Sequence, residues 1–232
     1  EVVYHFAGLA DLDAAASKPL QTVEYNILGT ANVLDVARKF KIKRLIFAST
    51  VYVYSDLGGF YRCSKQACEL YIEEYQKKYG LEFTILRYGS LYGPRADDTN
   101  SVRIFLREGL VDGKISYRGT GEETREYVHV KDAAKLSMEI LSKKYKNQHV
   151  TITGHQPMKV KDMLQMANEI LNNRIKIEFK PASNFFHYDT TPYSFSPKVG
   201  NKLVSNCYKD MGQGLLECLH EIYEELNQKK NN

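Results

Sequence analysis

The sequence predicts an α/β fold, a doubly wound and mostly parallel sheet followed by a smaller α/β lobe, and three observations carry that prediction. Strand-like and helix-like patterns alternate from residue 1 to about residue 130, the order that yields βαβ units. The strand candidates Leu45-Ile46-Phe47-Ala48 and Phe83-Thr84-Ile85-Leu86 are short and largely apolar, as expected where helices cover both faces of a sheet. Beyond about residue 114 the elements shorten, which marks the second lobe.

Residues 2–7 form a β-branched and aromatic run and supply the first strand. A helix follows from about Pro19, where Val23, Ile27, Ala31 and Leu34 are spaced to share one face. Residues 45–48 give the second strand, residues 61–79 a helix ended by Gly80, and residues 83–86 the third strand. Gly93-Pro94 breaks the pattern, after which Val102, Phe105, Leu106 and Leu110 mark a helix that stops near Gly113. Strands are then expected at 115–117, 127–130, 150–153 and 175–179, and helices at 130–143, 160–171 and 213–227. Residues 181–201 show no period and read as a loop or lid.

Composition narrows the function classes. With 43% apolar residues, 17 Tyr and 10 Phe among 232 residues, the chain has enough large apolar surface for a core, so disorder is excluded. A net charge of +4 with scattered lysines disfavours nucleic acid as a partner. No apolar run approaches the roughly 20 residues a bilayer requires, so no membrane partner is expected and the chain reads as cytoplasmic. Cys63, Cys68, Cys207 and Cys218 lack paired spacing, and reduced thiols are expected. The chain opens inside a core strand, without Met, as a fragment of a longer protein does.

Tyr61-Arg62-Cys63-Ser64-Lys65 carries the most chemical information. Positions i and i+4 of a helix lie on one face, so the Lys65 ammonium is expected beside the Tyr61 phenol, where a cation favours the phenolate and makes an acid/base of it. Alone, a Tyr and a Lys four apart are unremarkable on a surface helix. Thr50 changes the weighing, because it ends the apolar strand 45–48, and ligands of open α/β sheets bind beyond the C-terminal strand ends. Its hydroxyl can donate to a substrate oxygen; without Tyr61 and Lys65, Ser49 and Thr50 would read as turn residues.

Together these segments resemble the extended short-chain dehydrogenase/reductase family, the NAD-dependent nucleotide-sugar epimerases and dehydratases. Val3-Tyr4-His5-Phe6-Ala7-Gly8 resembles the strand and turn beneath the cofactor, and residues 26–32 match the family's Asn-x-x-Gly-Thr-x-Asn helix. Ser49-Thr50 with Val53-Tyr54 matches the catalytic strand end. Leu86-Arg87-Tyr88-Gly89-Ser90-Leu91-Tyr92-Gly93-Pro94-Arg95 and Thr124-Arg125-Glu126-Tyr127-Val128-His129-Val130 match two further segments in order.

The resemblance implies a partial Rossmann-like sheet, with residues 1–114 as the C-terminal part of the NAD-binding domain and 115–232 mainly as a substrate-binding lobe, the chain crossing between them. It implies Tyr61 as the proton-transfer residue, Lys65 on the nicotinamide ribose lowering the Tyr61 pKa, and Thr50 orienting the sugar hydroxyl. The implied cofactor set is Ala7, Gly8, Asn26, Ser49, Tyr61, Lys65 and Tyr88; Thr50, Ser90 and Arg125 would meet the substrate, Arg125 at its diphosphate. No metal is implied. The expected activity is epimerisation of a nucleotide-diphosphate sugar at C4 through a keto intermediate, in a homodimer, with polysaccharide biosynthesis as the setting. Reduction of a keto-sugar, or a non-catalytic scaffold of the same fold, are the alternatives; a scaffold has no need of a phenol beside an ammonium.

Departures sharpen these expectations. The family's glycine-rich phosphate loop is absent, since Gly119-Thr120-Gly121 and Gly212-Gln213-Gly214 lie outside the first βαβ unit, so roughly 60 residues are expected ahead of Glu1. Residues 1–232 alone are therefore expected to be inactive and unable to seat the cofactor pyrophosphate. The interval from Thr50 to Tyr61 is short, and Gly89-Ser90 replaces a Phe-Asn pair. Val51 and Tyr52 stand where the dehydratases carry an Asp-Glu pair, which disfavours dehydration.

Weaker candidates keep bland readings. His220-Glu221 is half of a zinc-helix motif without its second His, His129 reads as a hydrogen-bonded structural histidine as readily as a ligand contact, and Cys63 and Cys68 read as buried thiols. Tyr71, Tyr75 and Tyr79 form a stripe read as an interface.

Overall fold

The computed structural model describes residues 1–181 and 187–192. The expected helix at 213–227, His220-Glu221, Cys207, Cys218 and Gly212-Gln213-Gly214 lie outside the described residues, as does most of 181–201. Strand β1 (Val2–His5) leads through α1 (Leu12–Ser17), α2 (Pro19–Thr22), a π-helical segment (Val23–Leu28) and α3 (Gly29–Lys39) to β2 (Arg44–Thr50). A 3-10 turn (Val51–Tyr54), α4 (Gly59–Tyr79), β3 (Glu82–Tyr88) and β4 (Ser90–Tyr92) follow. The chain continues with α5 (Ser101–Asp112), β5 (Lys114–Arg118), β6 (Thr124–Arg125), β7 (Tyr127–His129) and α6 (Val130–Glu139). Last come a 3-10 turn (Lys143–Tyr145), β8 (Gln148–Ile152), β9 (Met158–Lys159), α7 (Val160–Ile170) and β10 (Lys176–Lys180).

The main sheet has the order β1-β2-β3-β8 and is parallel throughout. Alternate residues of β2 serve opposite faces. Leu45 and Phe47 pack with Leu34, Ala37, Cys68 and Ile72 of α3 and α4, while Ile46 packs with Ala133 and Ile140 beneath α6. Both faces are thus covered, which accounts for the near-continuous apolar strand. Because all four strands run one way, their C-terminal ends form one edge, with Thr50 opposite Tyr88 and Tyr88 opposite Ile152. A third apolar cluster, Ile115, Val160, Leu164 and Ile175, sits apart from the sheet between α5, α7, β5 and β10.

Two helix faces differ from their apolar patterns. The buried residues between Pro19 and Lys39 are Thr22, Asn26, Thr30, Leu34 and Ala37, while Val23 is half exposed. The first half of that face is polar because it meets polar partners, His5 Nε2 and the Cys68 thiol both reaching Thr30 Oγ1. In α5 Val102 and Gly109 are buried and Phe105 packs against the third cluster, while Leu110 is exposed. A Cβ at Gly109 would stand 2.6 Å from Ile175 Cδ1, so the absent side chain is what lets the third cluster close. The short elements α1, β4, β6 and β9 had no period long enough to be seen; α1 is set by its cap, Asp11 Oδ1 accepting from Ala14 N at 2.7 Å. Among the described residues no helix is long and apolar enough to cross a membrane.

Candidate active site

Thr50 is the last residue of β2 and is buried at the C-terminal edge of the sheet. Its Oγ1 accepts from Tyr52 N at 3.3 Å, which starts the 3-10 turn. The connection to α4 is short and needs Gly58, whose φ of +93° places it in the left-handed region. A Cβ there would come within 2.7 Å of Tyr52 Cδ1, so Gly58 also seats the Tyr52 ring. In the first turn of α4, Tyr61 is buried, and the Thr50 side chain bears on its phenol. Lys65 follows on the same buried face; its Nζ donates to Ala48 O at 2.8 Å and lies 4.7 Å from the Phe47 ring centroid and 5.9 Å from that of Tyr61.

Burial governs the electrostatics of this group. It pushes the Tyr61 phenol up to about 12, with the Thr50 hydrogen bond acting the other way. Burial also lowers the Lys65 ammonium, against which Cys68 and Glu69 act. In the protein alone the phenol is raised because burial outweighs the effect of Thr50, while Lys65 Nζ is engaged with the Ala48 carbonyl.

The residues expected at the cofactor gather on the neighbouring strand end. Asn26 is buried in the π-helical segment, the kind of local over-wide turn often found at functional sites. Its Oδ1 accepts from Leu9 N at 2.6 Å, and its Nδ2 donates to Leu9 O at 3.0 Å and to Ser64 Oγ at 2.8 Å. Asn26 therefore fixes the loop that carries Ala7 and Gly8 after β1, and ties it to α4. Gly8 has φ +150°, and a Cβ on it would stand 2.8 Å from Asn26 Oδ1 and 3.9 Å from Lys65 Nζ.

Ser49 Oγ donates to Glu69 Oε1 at 2.5 Å and so joins a buried network. The Tyr88 hydroxyl bonds Ser137 Oγ at 2.6 Å, and its ring lies 6.5 Å from that of Phe6.

Of the residues expected at the substrate, Ser90 opens β4 and pairs with Tyr127, just beyond the end of β3. Arg125 is buried; its guanidinium donates to Thr124 O at 3.1 Å and stacks 4.5 Å from the Tyr188 ring centroid. The structure places Tyr61 and Lys65 on one buried face of α4 beside the end of β2, and among the described residues Arg125 connects to Tyr61 through the rings of Tyr188 and Tyr52. His129 caps α6, its Nδ1 accepting from Lys131 N at 3.3 Å. Cys68 is buried as expected, but Cys63 is exposed, because it falls on the far side of α4 from Tyr61 and Lys65.

Sequence reasoning missed Glu69. It forms a two-point pair with Arg87, Arg87 Nε to Oε1 at 3.1 Å and NH2 to Oε2 at 2.5 Å, and Arg87 also donates to the Tyr54 hydroxyl at 2.6 Å. The signal was present, since Tyr61, Lys65 and Glu69 are spaced by four along one helix face.

The NAD dependent epimerase/dehydratase family model matches residues 1–153. A putative UDP-glucose 4-epimerase of Methanocaldococcus jannaschii is 33% identical over 67% of this chain and 56% of its own length. A UDP-N-acetyl-alpha-D-glucosaminuronate decarboxylase of Bacillus cytotoxicus is 28% identical over 92% of this chain and 71% of its own. Among solved structures, a Thermotoga maritima UDP-glucose 4-epimerase with UDP-glucose aligns with a TM-score of 0.76 at 25% identity, over 84% of this chain and 69% of that one. A Thermus thermophilus UDP-glucose 4-epimerase complexed with NAD aligns with a TM-score of 0.74 at 25% identity, over 86% and 73%.

Proposed function

The chain belongs to the NAD dependent epimerase/dehydratase family, and from that premise we propose that it carries the proton-transfer part of an NAD-dependent nucleotide-sugar 4-epimerase. The single observation that carries the reading is the buried trio at the strand end: the Tyr61 phenol on Thr50, with Lys65 one turn behind.

The residues present fit the cofactor. The Gly8 cradle leaves no room for a Cβ, Asn26 fixes its backbone, and Lys65, an ammonium with three donors, gives one to Ala48 O beside that cradle. Gly8, Asn26 and Lys65 would hold NAD there. NAD, when bound, would supply reversible hydride acceptance. Thr50 orients the C4 hydroxyl through its own, and Tyr61 Oη takes that hydroxyl's proton and gives it back. Arg125 presents a planar fork to the diphosphate, its face held by Tyr188. Val51 and Tyr52 place no carboxyl beside Thr50, which disfavours elimination of water.

Residues 1–114 serve the cofactor and 115–232 mainly the substrate, a division supported by the separate apolar cluster around Ile115, with β8 returning to the main sheet. The exposed apolar residues Leu28 and Val36, with Leu70 and Tyr71 on α4, support a homodimer built on these helices. Tyr75 packs against the core instead of joining that stripe. The free thiols Cys63 and Cys68 suit a reducing cytoplasm.

The test is incubation of the full-length protein with NAD and UDP-glucose, UDP-glucuronate or UDP-N-acetylglucosamine, with chromatography of the products. Appearance of a C4 epimer supports the reading, and its absence from all three overturns it.

A further inference from the structure

The residue after Val51 occupies a position the catalytic reading leaves unused. The Tyr52 hydroxyl and His187 Nδ1 are hydrogen-bonded at 2.7 Å, although 135 residues separate them in sequence. The Tyr52 ring also packs 4.7 Å from the Tyr188 ring and edge-on, at 6.3 Å, to Tyr61. Residues 187–192 then run as a strap along β6. Thr124 N donates to Asp189 O at 2.6 Å, Glu126 N to Thr191 Oγ1 at 3.3 Å, and Arg125 NH1 to Asp189 O at 3.4 Å. The Arg125 guanidinium is therefore held on two sides by this strap, by the Asp189 carbonyl and by the Tyr188 ring.

We propose that Tyr52 is a positioning residue, whose hydrogen bond to His187 clasps the strap to the catalytic strand end and so fixes Arg125 for the diphosphate of a nucleotide sugar. The short connection after Thr50 makes this possible. Gly58 lets the Tyr52 ring lie against the backbone, and its hydroxyl meets His187 at an exposed position. The clasp also gives the site a mechanical link between its two ends, since one side chain touches both the ring of Tyr61 and the residue on which Arg125 rests. Side-chain choice at this position then tunes how tightly the substrate's diphosphate is held.

The inference rests on the nucleotide-sugar reading, so its test has one arm that needs no ligand. Tyr52→Phe keeps the ring and removes the bond; His187→Ala removes the other partner; His187→Gln restores a group able to bond the phenol. Amide hydrogen exchange is measured at Thr124 and Glu126, whose N–H groups bond the strap, and UDP-glucose affinity by calorimetry. Loss of one hydrogen bond is expected to speed exchange at both amides by about fivefold and to weaken UDP-glucose binding by a similar factor. His187→Gln is expected to return both toward the parent protein. Unchanged exchange in Tyr52→Phe overturns the clasp, and faster exchange with undiminished UDP-glucose affinity overturns its role in positioning Arg125. A parent protein that binds no UDP-glucose counts against the proposed function, while the exchange arm still decides the clasp.

Discussion

Asn26 and the backbone of Leu9 form a closed pair of hydrogen bonds, the amide oxygen accepting at 2.6 Å and the amide nitrogen donating at 3.0 Å. The side chain thus acts as one more peptide group alongside the loop, and satisfies both polar atoms of a residue that has no strand partner there. Replacing Asn26 with Ala leaves the Leu9 groups and Ser64 short of partners in a buried setting. A loss of about 1–3 kcal/mol is expected for leaving such groups unpaired. In a chain of this length that is several degrees in Tm, at about 2–4 °C per kcal/mol. Thermal unfolding by circular dichroism checks it; a Tm equal to that of the parent would show the pair to be dispensable.

The Glu69–Arg87 pair is buried on both sides, and Ser49 depends on the same carboxylate. Removing the carboxylate leaves the buried Arg87 charge without its ion-pair partner, so Glu69→Ala is expected to cost about 3–5 kcal/mol. Adding Arg87→Met removes the stranded cation and is expected to recover part of that loss. Urea denaturation of the four proteins in the cycle measures the coupling. Additive losses would mean that the two side chains stabilise the fold independently.

How much of this was legible follows from where polarity sits. Thr50, Tyr61 and Lys65 could be read from sequence because a strand's end and a helix's start fix their separation. Glu69 lay on the same helical face but was passed over, since a carboxylate among Glu73 and Glu74 looks like a solvated surface residue. The face of Thr22, Asn26 and Thr30 was assigned to Val23 and Ile27 because apolar periodicity assumes an apolar neighbour, and here the neighbour is the polar loop and His5. Tyr52 meets His187 through a contact distant in sequence, which no local pattern encodes.

The buried phenols set the behaviour of the fold in alkali. Burial raises Tyr61 to about 12, and raises Tyr127, less deeply placed, to about 12 as well. In the unfolded chain these phenols ionise near their ordinary value of 10.0. Between that value and about 12 the folded state holds protons that the unfolded state has lost, so stability is full below pH 10 and falls as pH rises toward 12. For Tyr61, nearly fully buried, the loss is at most roughly 2–3 kcal/mol. Urea midpoints at about pH 8, 9.5 and 11 should decline over the last interval, and decline less in Tyr61→Phe. A midpoint flat over that interval, or an equal decline in the variant, would contradict the burial argument.

Tyr61→Phe also isolates the chemistry, because it deletes one oxygen and leaves the ring against Tyr52, 6.3 Å away. If Oη carries the proton, turnover of the C4 epimerisation should fall by about 10²–10⁴-fold, the range typical of losing a general acid/base. Affinity for UDP-glucose rests on Arg125 in this reading, so the variant should still bind it in calorimetry. Thr50→Val removes the hydroxyl that orients the substrate in this reading, and should lower turnover. Lys65→Met should act differently, weakening NAD binding, because the ammonium beside the Gly8 cradle is gone. Turnover by Tyr61→Phe at the parent rate would remove the phenol from the mechanism, and with it the reason for burying a tyrosine against Thr50 at the end of β2.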